Sequence, residues 1–241
     1  MTCLYLFDLD GTLARSTMSI QPPMVKCLTY LARRDSCLCI VSGGTYAKIQ
    51  QQLGDCVGLF EFIFAENGTL VYRKGNLVHC LDLRTHLTEQ HLQRVVDTLL
   101  QSVLESALPI KRGKFVDFRT GMIYFSPTGG DLTPGERERF ALFDEQNNTR
   151  GNLVDKLQVQ LGPDLDVKMG GQIGIAIHPH GWDKSLVSLH LNYKDYKQVF
   201  FFGDRCGPDG NDYPLYVHPE ITSYQVSDPK HTLKILRNLF R

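Results

Sequence analysis

Apolar residues in this chain fall into two kinds of segment that alternate. Leu4-Tyr5-Leu6-Phe7, Leu38-Cys39-Ile40-Val41 and Phe62-Ile63-Phe64-Ala65 are short continuous runs, the pattern of strands covered on both faces of a sheet. Between them, Met24, Val25, Leu28 and Leu31, and then Ile49 and Leu53, recur at helical spacing, the first helix entered through Pro22-Pro23. Arg73-Lys74-Gly75-Asn76 punctuates a hairpin between Leu70-Val71-Tyr72 and Leu77-Val78. Strands alternating with helices predict an α/β fold with a doubly wound, mainly parallel sheet.

The pattern changes near residue 82. Leu92, Val95, Val96, Leu99, Leu100, Val103 and Leu104 make one helical face with Thr88 as N-cap. One hairpin joins Phe115–Phe118 to Met122–Phe125 through Arg119-Thr120-Gly121, and a second joins Leu165–Lys168 to Ile173–Ile177 through Gly170-Gly171. Between them, Thr133-Pro134-Gly135-Glu136 has the spacing of a capping box and opens a helix carrying Phe140, Leu142 and Phe143; Leu153, Val154, Leu157 and Leu161 mark another. Parallel-sheet features return at Val199-Phe200-Phe201-Phe202-Gly203-Asp204 and Tyr224-Gln225-Val226. The expected organisation is a core of residues 1–81 plus 182–241, interrupted by an α+β insertion at 82–181.

Composition narrows the partners. The 241 residues carry 26 Lys and Arg against 26 Asp and Glu, so no positive excess recruits nucleic acid or an acidic membrane surface. The start of the chain is too short and too soon acidic for a signal peptide, and no apolar stretch is long enough to span a bilayer. Seven cysteines lack Cys-x-x-Cys pairing, which disfavours zinc or a disulfide framework and suits a reducing, cytoplasmic setting.

The candidate chemistry lies at the ends of the apolar runs. Phe7-Asp8-Leu9-Asp10-Gly11-Thr12 puts two carboxylates one residue apart where a buried strand emerges at the carboxyl edge of the sheet. A hard divalent cation offsets their repulsion, making Mg2+ the natural choice. Ser42 or Thr45, Lys184, Asp204 and Asp212 fall at other strand ends of the same sheet, in an order and spacing that suit phosphoryl transfer through an aspartate. Asp8 would attack phosphorus. Asp10 would protonate the leaving oxygen and then deprotonate the incoming one. Mg2+ would be held by Asp8, the Asp10 carbonyl and Asp204, with Asp212 in its outer shell; a hydroxyl at Ser42 or Thr45 and the Lys184 ammonium would hold the other phosphate oxygens.

At these residues the chain resembles the haloacid dehalogenase superfamily. With Ala65-Glu66-Asn67-Gly68, Lys111–Phe115, Phe118-Arg119-Thr120-Gly121-Met122, Ser126-Pro127, Gly170-Gly171-Gln172-Ile173 and Gly181-Trp182-Asp183-Lys184, it resembles eukaryotic phosphomannomutase over nearly its whole length. The resemblance implies interconversion of mannose 6-phosphate and mannose 1-phosphate. It further implies priming by a hexose 1,6-bisphosphate, dependence on Mg2+ and a homodimer joined through the inserted domain, or cap. Arg119 and Arg137 match arginines with which the family's cap binds substrate.

Other positions depart from the family pattern. Gly130 stands where a phosphate-binding arginine is expected, Gly174 and Ala176 replace a serine and an aspartate, and Thr17 takes the place of an arginine, with Arg15 two residues away as its candidate substitute. His218 and Ile221 replace residues of a second, structural cation site. Each charged phosphate contact is worth roughly 1.5 to 3 kcal/mol, so three losses weaken binding by orders of magnitude unless replaced. Period-two alternation places Gln172, Gly174, Ala176 and His178 on one strand face, which makes His178 a candidate for the vacated pocket. Three readings follow: a mutase acting on mannose or glucose phosphates, a Mg2+-dependent sugar-phosphate phosphatase on the same scaffold, and a non-catalytic binding relative.

Overall fold

The computed structural model of the protein describes residues 2–239. In chain order the strands are β1 (Cys3–Phe7), β2 (Ser36–Val41), β3 (Phe62–Ala65), β4 (Leu70–Arg73), β5 (Asn76–Cys80), β6 (Val116–Phe118), β7 (Ile123–Phe125), β8 (Leu165–Gly170), β9 (Gly174–Pro179), β10 (Gln198–Gly203) and β11 (Thr222–Gln225). The helices are α1 (Pro22–Ala32), α2 (Tyr46–Leu53), α3 (Leu83–His86), α4 (Glu89–Glu105), α5 (Pro134–Asn147), α6 (Thr149–Leu161), α7 (Tyr213–Tyr216) and α8 (Pro229–Leu239). Leu81–Gly181 forms one compact unit; the residues up to Cys80 and from Trp182 form the other.

The discontinuous unit is built on a seven-stranded sheet of order β11-β10-β1-β2-β3-β4-β5. The first five are parallel and the β4–β5 hairpin is antiparallel. Alternate residues of β1 enter two different cores. Tyr5 and Phe7 pack with Leu28 and Leu31 of α1 and Leu236 of α8, while Leu4 and Leu6 pack with Val187, Leu191 and Leu215. Leu4 to Phe7 are all buried, on both faces of the sheet, which is why this stretch is apolar without alternation. Polar residues become possible only past the strand ends. Because β10 and β2 flank β1 in register, Asp204, Asp8 and Ser42 follow neighbouring strands at one edge of the sheet.

The continuous unit carries an antiparallel sheet of order β6-β7-β9-β8, with α6 against β8 and β9 and α4 against β6 and α6. Thr88 caps α4 by accepting the His91 N–H, and Thr133 and Glu136 complete the capping box of α5. Two details differ from the sequence pattern. β9 begins at Gly174, so Gln172 belongs to the turn and not to the strand face shared by Ala176 and His178. Leu142 and Val159 are apolar residues of α5 and α6 that face outward.

A buried ion pair ties this unit together. Arg150 Nε donates to Asp144 Oδ2 at 2.7 Å, and Arg150 Nη1 reaches the carbonyls of Gly171 and Gly174 at 3.1 and 3.2 Å. The pair therefore joins the α5–α6 corner to the β8–β9 turn. Asp144→Ala leaves a buried guanidinium uncompensated and is expected to cost about 3–5 kcal/mol. Lys156→Ala, which removes the exposed Lys156–Glu105 pair, is expected to cost under about 1 kcal/mol. Urea unfolding of the two variants checks the contrast.

Candidate active site

Four side chains meet at the carboxyl edge of the large sheet. Lys184 opens a 3-10 turn whose N-cap, Asp183, accepts the Ser185 N–H. Its Nζ is fully buried and donates to Asp8 Oδ1 and to Asp212 Oδ1, both at 2.6 Å. Asp212 is itself fixed, because its Oδ2 accepts the Arg205 N–H at 2.9 Å. Asp204 completes the group, and one carboxylate oxygen from each of Asp8, Asp204 and Asp212 lies within 4.8 Å of the others. Gly11 allows this crowding. It has φ +90°, and a Cβ there would meet Asp204 Oδ2 at 2.4 Å.

Three carboxylates around one ammonium leave an excess of negative charge, and the titration behaviour records it. Burial, reinforced by the charges of Asp212 and Asp204 and opposed by Lys184, pushes Asp8 up to about 8. Burial and Asp212 push Asp204 up to about 6. Lys184 is also raised: burial alone would lower it, but Asp212 and Asp8 overcome that. A buried all-oxygen donor set with surplus negative charge fits Mg2+ and offers nothing to a soft metal.

Asp10 sits apart from this cluster. Its Oδ2 pairs with Lys48 Nζ, and its Oδ1 accepts from Gln52 Nε2 at 2.9 Å and from the Thr17 N–H at 3.1 Å. Burial would raise Asp10, yet the Lys48 charge and these hydrogen bonds hold it below the usual carboxylate range. Ser42 and Thr45 flank a short loop. The Ser42 hydroxyl accepts the Gly44 N–H at 3.1 Å, and Thr45 caps α2 by accepting the Lys48 N–H. Next to them, Glu66, Asn67 and Gly68 all have positive φ, and the Asn67 and Glu66 N–H groups donate to the carbonyls of Ser42 and Gly44. A strained turn thus fixes the loop that carries Ser42.

Arg15 is exposed. In the continuous unit, Arg119 Nε donates to Asp117 Oδ2 at 2.7 Å and its guanidinium lies over the Tyr124 ring, 4.5 Å from the centroid. Arg137 Nη2 donates to the Gly130 carbonyl at 2.7 Å. His178 is buried with Nδ1 3.2 Å from the Pro179 carbonyl. The expected vacancy at Gly174 is corrected: a Cβ there would meet Tyr124 Cζ at 2.2 Å, so the tyrosine fills the space a serine side chain would use. His218 packs edge-on against Tyr193, with ring centroids 5.0 Å apart.

The sequence profile of eukaryotic phosphomannomutase matches residues 24–241. The curated protein "Phosphomannomutase 2" of Dictyostelium discoideum is 37% identical over 98% of this chain and 95% of its own length, and human "Phosphomannomutase 1" is 34% identical over 98% and 92%. The chain belongs to the eukaryotic phosphomannomutase family. Among solved structures, SMU.1108c of Streptococcus mutans covers 100% of this chain and 99% of its own, with a TM-score of 0.65 at 13% identity. An IMP-nucleotidase of Plasmodium falciparum covers 100% and 70%, with a TM-score of 0.65 at 15% identity. At these identities the likeness concerns the fold, a mixed α/β architecture with a mainly parallel sheet.

Sequence reasoning missed Lys48, Gln52 and Tyr124. Thr45, Lys48 and Gln52 stand at i, i+3 and i+7, one face of α2 about a quarter turn from the apolar Ile49–Leu53 face, and that spacing is the available signal.

The raised carboxylates predict how metal binding depends on pH. The bound cation needs them ionised, so it must displace the protons that Asp204 holds below about 6 and Asp8 below about 8. Affinity for Mg2+, measured by calorimetric titration, is expected to rise from pH 6 to pH 8 by roughly tenfold per pH unit for each proton displaced. A flat profile would contradict the assignment.

Proposed function

We propose that the protein is a phosphomannomutase-type phosphotransferase that interconverts mannose 6-phosphate and mannose 1-phosphate through a phosphate carried on Asp8. The observation that carries this reading is the buried Lys184 bridge to Asp8 and Asp212, in a chain related to phosphomannomutases over nearly its whole length.

Asp8 is the nucleophile. Lys184 fixes one of its oxygens, which leaves the other to attack phosphorus. The bond from Asp8 oxygen to phosphorus forms as the phosphorus–oxygen bond to the sugar breaks, and the departing electron pair takes the proton that Asp10 carries in its carboxyl form at this step. A hexose 1,6-bisphosphate primes the site by this step. On transfer to the other end of the bound sugar, Asp10 removes the proton of the accepting hydroxyl and the Asp8 carboxylate is regenerated. Asp8, the Asp10 carbonyl and Asp204 would hold Mg2+, with Asp212 behind them, and the ion supplies positive charge against the incoming phosphate. The hydroxyl of Ser42 or Thr45 donates to a phosphate oxygen. Arg119, Arg137 and Arg15 are the proposed substrate-binding residues, His178 being buried against its own strand, and glucose phosphates are a further candidate substrate pair.

The continuous unit also exposes Leu100, Leu104, Leu142 and Val159 on its helices, which supports self-association through it as a homodimer. We place the activity in the cytoplasm, where the seven unbonded cysteines are stable.

Two observations favour a second reading, a sugar-phosphate phosphatase. Tyr124 occupies the space over Gly174, and Arg137 is engaged with the Gly130 carbonyl; both alter the surface expected to retain the intermediate against water.

Purified protein with Mg2+ and glucose 1,6-bisphosphate is expected to convert mannose 1-phosphate to mannose 6-phosphate. Asp8→Asn should lower the rate by at least about 1,000-fold. A coupled assay that also follows inorganic phosphate separates the readings: phosphate release without isomerisation supports the phosphatase, and neither signal overturns both.

A further inference from the structure

The antiparallel sheet of the continuous unit carries a polar row that includes an unmet positive charge. Along β8, Leu165 and Val167 are buried while Asp166 and Lys168 are half-buried, so Lys168 lies on the other face of the sheet from the two apolar residues. Register places Lys168 opposite Ala176, Ala176 opposite Tyr124, and Tyr124 opposite Asp117. Tyr124 carries the Arg119 guanidinium on its ring, so the row holds two cations, one on each side of Ala176. They differ in how their charge is met. Arg119 is paired with Asp117 at 2.7 Å, whereas the Lys168 ammonium has no hydrogen bond or ion pair among the described residues. Asp166, two positions earlier on the same face, is engaged elsewhere: Oδ2 accepts the Gly181 N–H at 3.1 Å and Oδ1 lies 3.1 Å from His180 Nδ1. Alanine at 176, where the family pattern has aspartate, offers no carboxylate across the strand pair.

We propose that Lys168 is a substrate-binding residue that, with Arg119, holds the phosphate of the hexose that is not being transferred. This rests on the reading of the protein as a phosphotransferase acting on hexose phosphates. Lys168 is not among the positions that the family pattern supplies; its register and its unmet charge assign it. Because β9 separates β7 from β8, Tyr124 and Lys168 stand two strand spacings apart, about 10 Å. The two cations and a phosphate between them, with charge-assisted hydrogen bonds of about 2.8 Å on either side, fill that width. The methyl group of Ala176 is the one side chain that separates them in the row. A cation at 168 also makes up for charge lost where Gly130 stands in place of an arginine.

The test compares two donors in single-turnover phosphorylation of Asp8 in the Mg2+-loaded full chain, followed by intact mass after acid quench. Glucose 1,6-bisphosphate brings a second phosphate, whereas acetyl phosphate brings only the one that is transferred. Lys168→Met is expected to raise the half-saturating concentration of the bisphosphate roughly 10- to 100-fold with little change in the limiting rate, and to leave phosphorylation from acetyl phosphate within about twofold. Lys168→Arg should recover part of the lost affinity. An unchanged half-saturating concentration of the bisphosphate, or an equal loss with both donors, overturns the proposal while leaving the function standing. No phosphorylation of the unmodified chain by the bisphosphate overturns the function and this inference with it.

Discussion

The active end of this molecule is organised around one ammonium group. Lys184 is fully buried and donates at 2.6 Å to Asp8 and to Asp212, side chains 176 and 28 positions away in sequence. A lysine enclosed in this way is tenable only if its charge is met, and carboxylates at this depth are tenable only if something positive stands beside them. The pairing joins the ends of β1 and the 3-10 turn at Lys184 to the segment after β10. It also remains incomplete. Asp204 brings the carboxylates to three, and burial together with their mutual repulsion raises Asp8 and Asp204. The site is thereby suited to a divalent cation, and its stability is subordinated to its chemistry.

The two carboxylates of the Asp-x-Asp motif live in opposite environments. Asp8 is enclosed among like charges and its proton affinity rises; Asp10 is held by Lys48, Gln52 and Thr17 and its proton affinity falls. The continuous unit shows a different kind of change. There Tyr124 takes the volume above Gly174, hydrogen-bonds the Gly170 carbonyl at 3.0 Å and carries Arg119 on its ring. Asp8, Lys184, Asp204 and Asp212, the residues expected to serve transfer, meet in one cluster, whereas the space at Gly174, where a serine is expected, is taken by Tyr124.

What the sequence made legible follows from where each interaction is encoded. β1, β2, β3 and β10 were readable because a strand covered on both faces must be apolar throughout, and Asp8 and Asp204 were readable because they end such runs. The N-caps and the hairpins of the continuous unit are local, and local signals such as the capping box of Thr133 with Glu136 survive without tertiary knowledge. Lys48 and Gln52 reach Asp10 across 38 and 42 positions, a contact that depends on how α2 packs against the loop after β1. Tyr124 meets Gly174 because β7 pairs with β9, Tyr124 standing opposite Ala176. The alternation that assigned Gln172 to the strand face failed for a simpler reason: the turn consumes residues up to Ile173 before β9 begins.

The central claim is that Asp8, set by Lys184 beside a cation-binding carboxylate pair, is the group that receives phosphate. Beryllium fluoride, a mimic of an aspartyl phosphate, tests it without requiring the correct sugar. Fluorine NMR of the full chain with beryllium fluoride and Mg2+ should give bound resonances that vanish when Mg2+ is withheld and in Asp8→Asn. Bound resonances that persist in Asp8→Asn, or none in the unmodified protein with Mg2+ present, would contradict it.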